Sequence, residues 1–120
     1  MMERYVASRG FYGKKKDPIP KVTVSQQTMR FNKSFEDRYL NGSKSVRLYW
    51  DRKNRVVWVK PMTYHKSEDL RITKTSLSGS SKVSAVGFLR RYGLTRVING
   101  NRKFKVWDNP TGEGAFFQLA

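Results

Sequence analysis

The stretch Ser45-Val46-Arg47-Leu48-Tyr49-Trp50-Asp51-Arg52-Lys53-Asn54-Arg55-Val56-Val57-Trp58-Val59-Lys60-Pro61 decides the fold class. Val46, Leu48 and Trp50 alternate with Arg47 and Tyr49, and a period of two places the two sets on opposite faces of a strand. Asp51-Arg52-Lys53-Asn54 carries turn chemistry. Val56-Val57-Trp58-Val59 then returns as a second strand. It is apolar on both faces, which places it in the middle of a sheet or at an interface, a homodimeric one included. Pro61 is expected to end it, because proline donates no hydrogen bond to a ladder.

Upstream, Lys21-Val22-Thr23-Val24-Ser25 alternates and is β-branched, so it reads as a strand that Met29-Arg30-Phe31 continues. Residues 32–40 read as a short helix. Asn32 or Ser34 is its cap, Ser34 with Asp37 resembles a capping box, and Asn41-Gly42 is its stop. Downstream, residues 61–70 form a polar connector and the pattern recurs. Arg71-Ile72-Thr73-Lys74 starts a strand, and residues 76–81 are a small-residue loop. Ser84 caps a helix through Val86, Phe88, Leu89 and Tyr92 that closes at Gly93. Lys103 to Trp107 alternates as a strand, residues 108–114 form a long turn, and Ala115 to Leu119 closes the chain.

The expected architecture is therefore α+β and β-dominated: a small barrel from two strand–helix–hairpin halves, residues 21–61 and 71–119. Neither half buries a core alone, so the two form a single domain over residues 21–120. Residues 1–20, with Lys14-Lys15-Lys16 and two prolines in Asp17-Pro18-Ile19-Pro20, read as a basic N-terminal arm. The aromatics Tyr5, Phe11 and Tyr12 are candidates for pinning it to the body.

Charge is the strongest functional signal. In 120 residues, 25 Lys and Arg face nine Asp and Glu, a formal net charge of +16. Such an excess repels itself in a compact state, and solubility needs far less. Polyanion binding is the usual reason, and nucleic acid is the expected partner. The alternatives are RNA rather than DNA, and an acidic surface of a nucleic-acid-handling enzyme. No cysteine is present, so disulfides and thiolate metal sites are excluded. No apolar run reaches the length of a membrane span, and the N-terminus lacks the apolar stretch of a signal peptide. The expectation is a soluble cytoplasmic protein, associated with the nucleoid if it binds DNA, with no membrane partner.

Catalysis has little to build on. The single histidine, His65, lies in the polar connector beside Glu68 and Asp69, where exposure is the ordinary explanation. Asp37, Asp51, Asp108 and Glu113 sit at turns or a helix start, where local backbone chemistry accounts for them. No metal-ligand cluster or cofactor motif is present, and Ser78-Gly79-Ser80-Ser81-Lys82 lacks the spacing of a phosphate-binding loop. No catalytic residue, metal or cofactor is expected. The candidate nucleic-acid contacts are the basic clusters: Lys14, Lys15 and Lys16; Arg52, Lys53 and Arg55; Arg90 and Arg91, which also suit a helix C-terminus; and Lys103 and Lys105. Tyr49, on the strand face shared with Arg47, and Trp107, on the face shared with Lys103 and Lys105, are the candidate base-stacking rings.

The order of strand, short helix and hairpin, present twice, resembles the AbrB/MraZ family of swapped-hairpin DNA-binding proteins. The first copy runs from Val22-Thr23-Val24 through Arg30-Phe31-Asn32-Lys33 and Phe35 to Leu40, then to the hairpin ending at Pro61. The second has Arg71-Ile72-Thr73, Phe88-Leu89-Arg90-Arg91-Tyr92-Gly93-Leu94 and the last hairpin. Where the family turns its first strand with Gly-Arg and enters its helix through Ile-Pro, this chain has Gln27-Thr28 and Phe31-Asn32, with Val83-Ser84 in the second copy. The resemblance implies two interlocked halves and a DNA-binding, regulatory role. It adds Arg30, Lys33, Lys74 and Lys82 as candidate contacts.

Overall fold

The computed structural model describes residues 18–64, 66–74, 80–98 and 100–119. Alternation governs the first elements. Val22 and Val24 of β1 (Lys21–Val24) and Met29 and Phe31 of β2 (Thr28–Phe31) are buried. Met29-Arg30-Phe31 does not continue β1 but returns beside it, antiparallel, with Val22 opposite Phe31. Ser25 makes the reversal. Its backbone N–H donates to the Thr28 carbonyl at 2.9 Å, and its Oγ accepts from the Thr28 N–H at 3.1 Å.

Asn32 caps the helix that follows, and the capping box at Ser34 does not form. The Asn32 Oδ1 accepts from the Phe35 N–H at 2.9 Å and from the Lys21 N–H at 3.1 Å. Ser34 instead lies buried inside α1 (Lys33–Phe35). The helix widens into a π-helical turn over Glu36–Leu40, closed by the Asn41 N–H on the Glu36 carbonyl at 2.7 Å. Asn41 takes the left-handed conformation that the expected stop requires.

The deciding hairpin is β3 (Ser45–Asp51) with β4 (Val56–Met62). Pro61 does not end β4 but pairs with Val46. It is tolerated because the partner on the other side of β4 reaches only to Val59. In the second half, β5 (Leu70–Arg71) and β6 (Thr73–Lys74) are one run broken at Ile72. Ser81 and Ser84 are not loop and cap. They bound a strand, β7 (Ser81–Ser84), whose Val83 is buried opposite Met29. Helix α2 (Val86–Arg91) begins after Ala85 without a side-chain cap. The run β8 (Arg102–Lys105) and β9 (Trp107–Asp108) breaks at Val106, and β10 (Ala115–Gln118) completes the body.

Each half is thus hairpin, helix, hairpin rather than strand, helix, hairpin. The strands form two five-stranded antiparallel sheets, ordered β6-β7-β2-β1-β8 and β5-β3-β4-β10-β9. The apolar strand β4 lies at the centre of the second sheet, as its two-faced apolar sequence predicts. Each half gives one hairpin to each sheet. The broken runs at Ile72 and Val106 carry the chain from an edge of one sheet to an edge of the other. One approximate two-fold relation accounts for all the registers. Val22 opposite Phe104 has its counterpart in Leu70 opposite Val46. The ladders between like strands, β2 with β7 and β4 with β10, lie on the axis at Met29–Val83 and Trp58–Phe116. The matched positions are apolar throughout: Val24 and Ile72, Phe31 and Ala85, Phe35 and Leu89, Leu40 and Leu94, Val59 and Phe117.

The core lies between the sheets, where Phe104 of the first meets Phe117 of the second at 5.2 Å. Phe31, Phe35, Phe117, Met29, Leu40 and Leu89 are its largest fully buried side chains. Each such residue stabilises the fold by about 1.5–3 kcal/mol relative to exposure.

Two substitutions test this packing. Gly114 has φ +79, and a Cβ there would stand 2.0 Å from the Val59 carbonyl oxygen and 2.9 Å from Pro61 Cδ. Gly112 has φ +87 in open space. Gly114→Ala is expected to cost about 3 kcal/mol or more and Gly112→Ala about 1 kcal/mol, measured by urea unfolding. Equal midpoints for the two would contradict the close approach of the last turn to β4. Asn32→Ala removes the α1 cap and the acceptor of the Lys21 N–H, and is expected to cost about 1–2 kcal/mol in the same measurement.

Candidate nucleic-acid interface

Directly paired residues of adjacent strands point to the same face, so the registers place the side chains. Thr73 pairs with Lys82, Lys82 with Arg30, Arg30 with Thr23, and Thr23 with Lys103. This row crosses all five strands of the first sheet on the face away from the core. Beside it, Lys21 pairs with Lys105. Arg30, Lys103 and Lys105 are exposed, and Lys21 and Lys82 are half-buried. The five strands contain no Asp or Glu.

Two shallow depressions flank Arg30. One, of about 230 Å³, is lined by Lys21, Thr23, Arg30, Phe31, Asn32, Ser80 and Lys103. The other is lined by Arg30 with Ser25, Gln26, Gln27, Thr28, Gly100 and Asn101. Cations and neutral amides are thus offered together, the groups that contact phosphate and sugar oxygens. Among the described residues, Arg30, Lys82, Lys103 and Lys105 have no ion-pair partner.

Five other cations, Lys33, Arg38, Arg47, Lys60 and Lys74, are engaged by carboxylates elsewhere. Lys33 bonds Asp37 at 2.8 Å, and that hydrogen bond raises its pKa. Lys74 bonds the buried carboxylate of Glu36, which also accepts from the Gly42 N–H. Arg47 bonds Asp69 at 2.7 Å and Glu68 at 2.8 Å, and the Asp69 hydrogen bond is the main cause of its raised pKa. Asp108 accepts from Tyr39 and Arg38. Its carboxyl is held below the usual range, chiefly by the Tyr39 hydroxyl. Tyr39 is pushed up to about 12 by burial and then by that carboxylate.

Of the sequence candidates, Arg30, Lys82, Lys103 and Lys105 come together on this face. Arg52, Lys53 and Arg55 lie in the β3–β4 turn of the other sheet. There Arg55 donates to the Leu119 carbonyl at 3.3 Å and stands 5.9 Å from the Trp50 ring centre. Arg90 and Arg91 are exposed in the last turn of α2, with Arg91 beside the Tyr92 ring. Tyr49 and Trp107 are exposed on the outer face of the second sheet, away from the cationic row. Lys14, Lys15, Lys16, Tyr5, Phe11, Tyr12 and His65 lie outside the described residues.

Lys21 shares the face and the depression beside Arg30 and is absent from the sequence candidates. Its signal was present, since Lys21 and Thr23 alternate with the buried Val22 and Val24. Gln26, Gln27 and Asn101 carried no such signal, because only the fold brings the two turns to Arg30. Among the described residues no cluster of potential metal ligands occurs, and no helix is long and apolar enough to cross a membrane. Comparison with protein-family models, with curated proteins and with solved structures finds no match to this chain.

Proposed function

We propose that this chain is a nucleic-acid-binding protein that holds duplex DNA on the outer face of its first sheet, mainly through phosphates. The observation that carries the proposal is the row Lys82–Arg30–Thr23–Lys103 with Lys21 and Lys105 beside it, on strands without a carboxylate. Strands lie about 4.8 Å apart, so Lys82 and Lys103, three strands apart, are separated by about 14 Å. That separation suits phosphates on either side of a major groove about 12 Å wide, with Arg30 central between them. The Gln26, Gln27 and Asn101 amides lie where sugar and phosphate oxygens would pass.

The exchange of strands between the halves supports the swapped-hairpin relation as well. On this proposal the two sheets with their shared edge runs form the small barrel of that family, and the cationic face lies on the two-fold axis. A regulatory role at DNA, in the cytoplasm or nucleoid, follows from the same relation. No catalytic chemistry is proposed.

The test is a salt titration of duplex binding. With about six phosphates contacted, the log–log slope of affinity on salt is expected to be about −5. Replacing Arg30, Lys82 and Lys103 together with Ala is expected to flatten that slope by about three units and to weaken binding on all sequences alike. Lys33→Ala, at a residue already held by Asp37, is expected to change little. An unaltered slope in a folded triple variant would sink the proposed interface. Failure of the intact protein to bind any DNA or RNA at low salt would favour an acidic protein partner.

A further inference from the structure

The outer face of the second sheet carries a second row of different chemistry. Tyr49 pairs with Trp58, Trp58 with Phe116, and Phe116 with Trp107. Four aromatic side chains therefore stand side by side across β3, β4, β10 and β9, with ring centres 4.5, 6.1 and 5.9 Å apart. The core does not need them, because the opposite face of these strands supplies Val57, Val59, Ala115 and Phe117. Tyr49 remains 38% exposed and Trp107 45%. Large rings left in water beside one another form the kind of apolar patch that marks a binding surface.

The row is built twice. Under the two-fold relation of the registers, Tyr49 corresponds to Trp107 and Trp58 to Phe116. The Trp58 indole N–H is occupied by the Glu113 carbonyl at 2.7 Å, which fixes the ring and leaves it no free donor. Lys60 lies 5.5 Å from the centre of the same ring. Tyr49 and Trp58 stack on one another with planes 23° apart, so the exposed rings at the two ends of the row, Tyr49 and Trp107, are the ones that offer a π face to a further ring.

We infer that this face takes single-stranded nucleic acid, with unpaired bases stacking on Tyr49 and Trp107, the exposed ends of the row. Every base has a π face, so stacking of this kind tolerates any sequence. Charge selects the occupant: a second copy would bring +16 against +16, whereas a polyanion is attracted to the whole body. Of the cations on the face itself, Arg47 and Lys60 beside the rings are paired with Asp69, Glu68 and Glu113, and Arg71 stands at the far edge strand opposite Ser45. Phosphate neutralisation is therefore weaker here than on the first sheet, and stacking supplies more of the affinity. The inference shares the nucleic-acid reading of the cationic face but uses the opposite side of the molecule.

The experiment titrates the full-length protein with a short oligothymidylate and follows tryptophan fluorescence, with duplex binding measured in parallel. Quenching is expected, with a salt slope shallower than that of the duplex. Tyr49→Ala with Trp107→Ala is expected to lower oligothymidylate affinity about tenfold or more and to leave duplex affinity within about twofold. Tyr49→Leu with Trp107→Leu keeps apolar bulk without a ring face and is expected to behave alike if the alanine pair folds poorly. An oligomer of abasic sugars, tested on the unaltered protein, is expected to bind as weakly as the variants bind thymidylate. Equal binding of abasic and thymidylate strands would overturn the inference. So would loss of thymidylate binding in the Arg30, Lys82 and Lys103 variant, which would place single strands on the first sheet. If that variant loses duplex binding but keeps the quenching, the two faces are separate sites. Dimerisation abolished by the aromatic variants, without any change in oligothymidylate binding, would assign the row to a second copy instead.

Discussion

Strand exchange between the halves is the constraint on which the rest of the structure depends. The first hairpin of each half pairs outward with a strand of the other half's second hairpin, β1 with β8 and β5 with β3. Neither half completes a sheet by itself, and the core takes side chains from both. The central ladders, β2 with β7 and β4 with β10, then bring like strands together on one axis. Because the side-chain period in a strand is two, a slip of one residue in any of these ladders would turn a buried set outward. The apolar pairs Val22–Phe31, Met29–Val83 and Val57–Phe117 hold the register, and the outer faces inherit it.

The inherited faces differ because charge and aromatic side chains are segregated between the sheets. The described carboxylates are used elsewhere. Glu36 takes Lys74, Asp37 takes Lys33, Glu68 and Asp69 take Arg47, Asp108 takes Arg38 and Tyr39, and Glu113 takes Lys60. Asp51 closes its own turn on Asn54. None is left for the outer face of the first sheet. Lys82, Arg30 and Lys103 therefore stand in line with no carboxylate of the described residues beside them, while further exposed cations such as Arg52, Lys53, Arg90 and Arg91 lie elsewhere on the surface. The exposed ones among the ion pairs, Lys33–Asp37 and Arg38–Asp108, contribute little to stability and bear more on the electrostatic field than on folding.

The dominance of strands, the two short helices and the apolar centre at Val56–Val59 were legible in the sequence because alternation is a local property. Arg30, Lys82, Lys103 and Lys105 were candidates on charge and resemblance alone, without any knowledge that they are neighbours. What was misread follows a pattern. Met29-Arg30-Phe31 as a continuation, Ser81 to Ser84 as a loop and cap, and Pro61 as a stop are all errors about partners. Ser81-Lys82-Val83-Ser84 has weak strand preference of its own and is extended because β2 and β6 lie on either side of it. Pro61 is accepted in β4 because no second strand asks for its missing N–H.

The sequence by itself therefore determined which segments extend, which faces of them are apolar, and that the molecule as a whole is a strong cation. Those properties depend on residues a few positions apart. Only the tertiary structure decided that five cations from β1, β2, β7 and β8 share one face, and that Tyr49, Trp58, Phe116 and Trp107 form a continuous row on the other side. Both juxtapositions join residues from distant parts of the chain. Strand register sets them, and register is fixed by burial of the opposite faces in a core that both halves must build together.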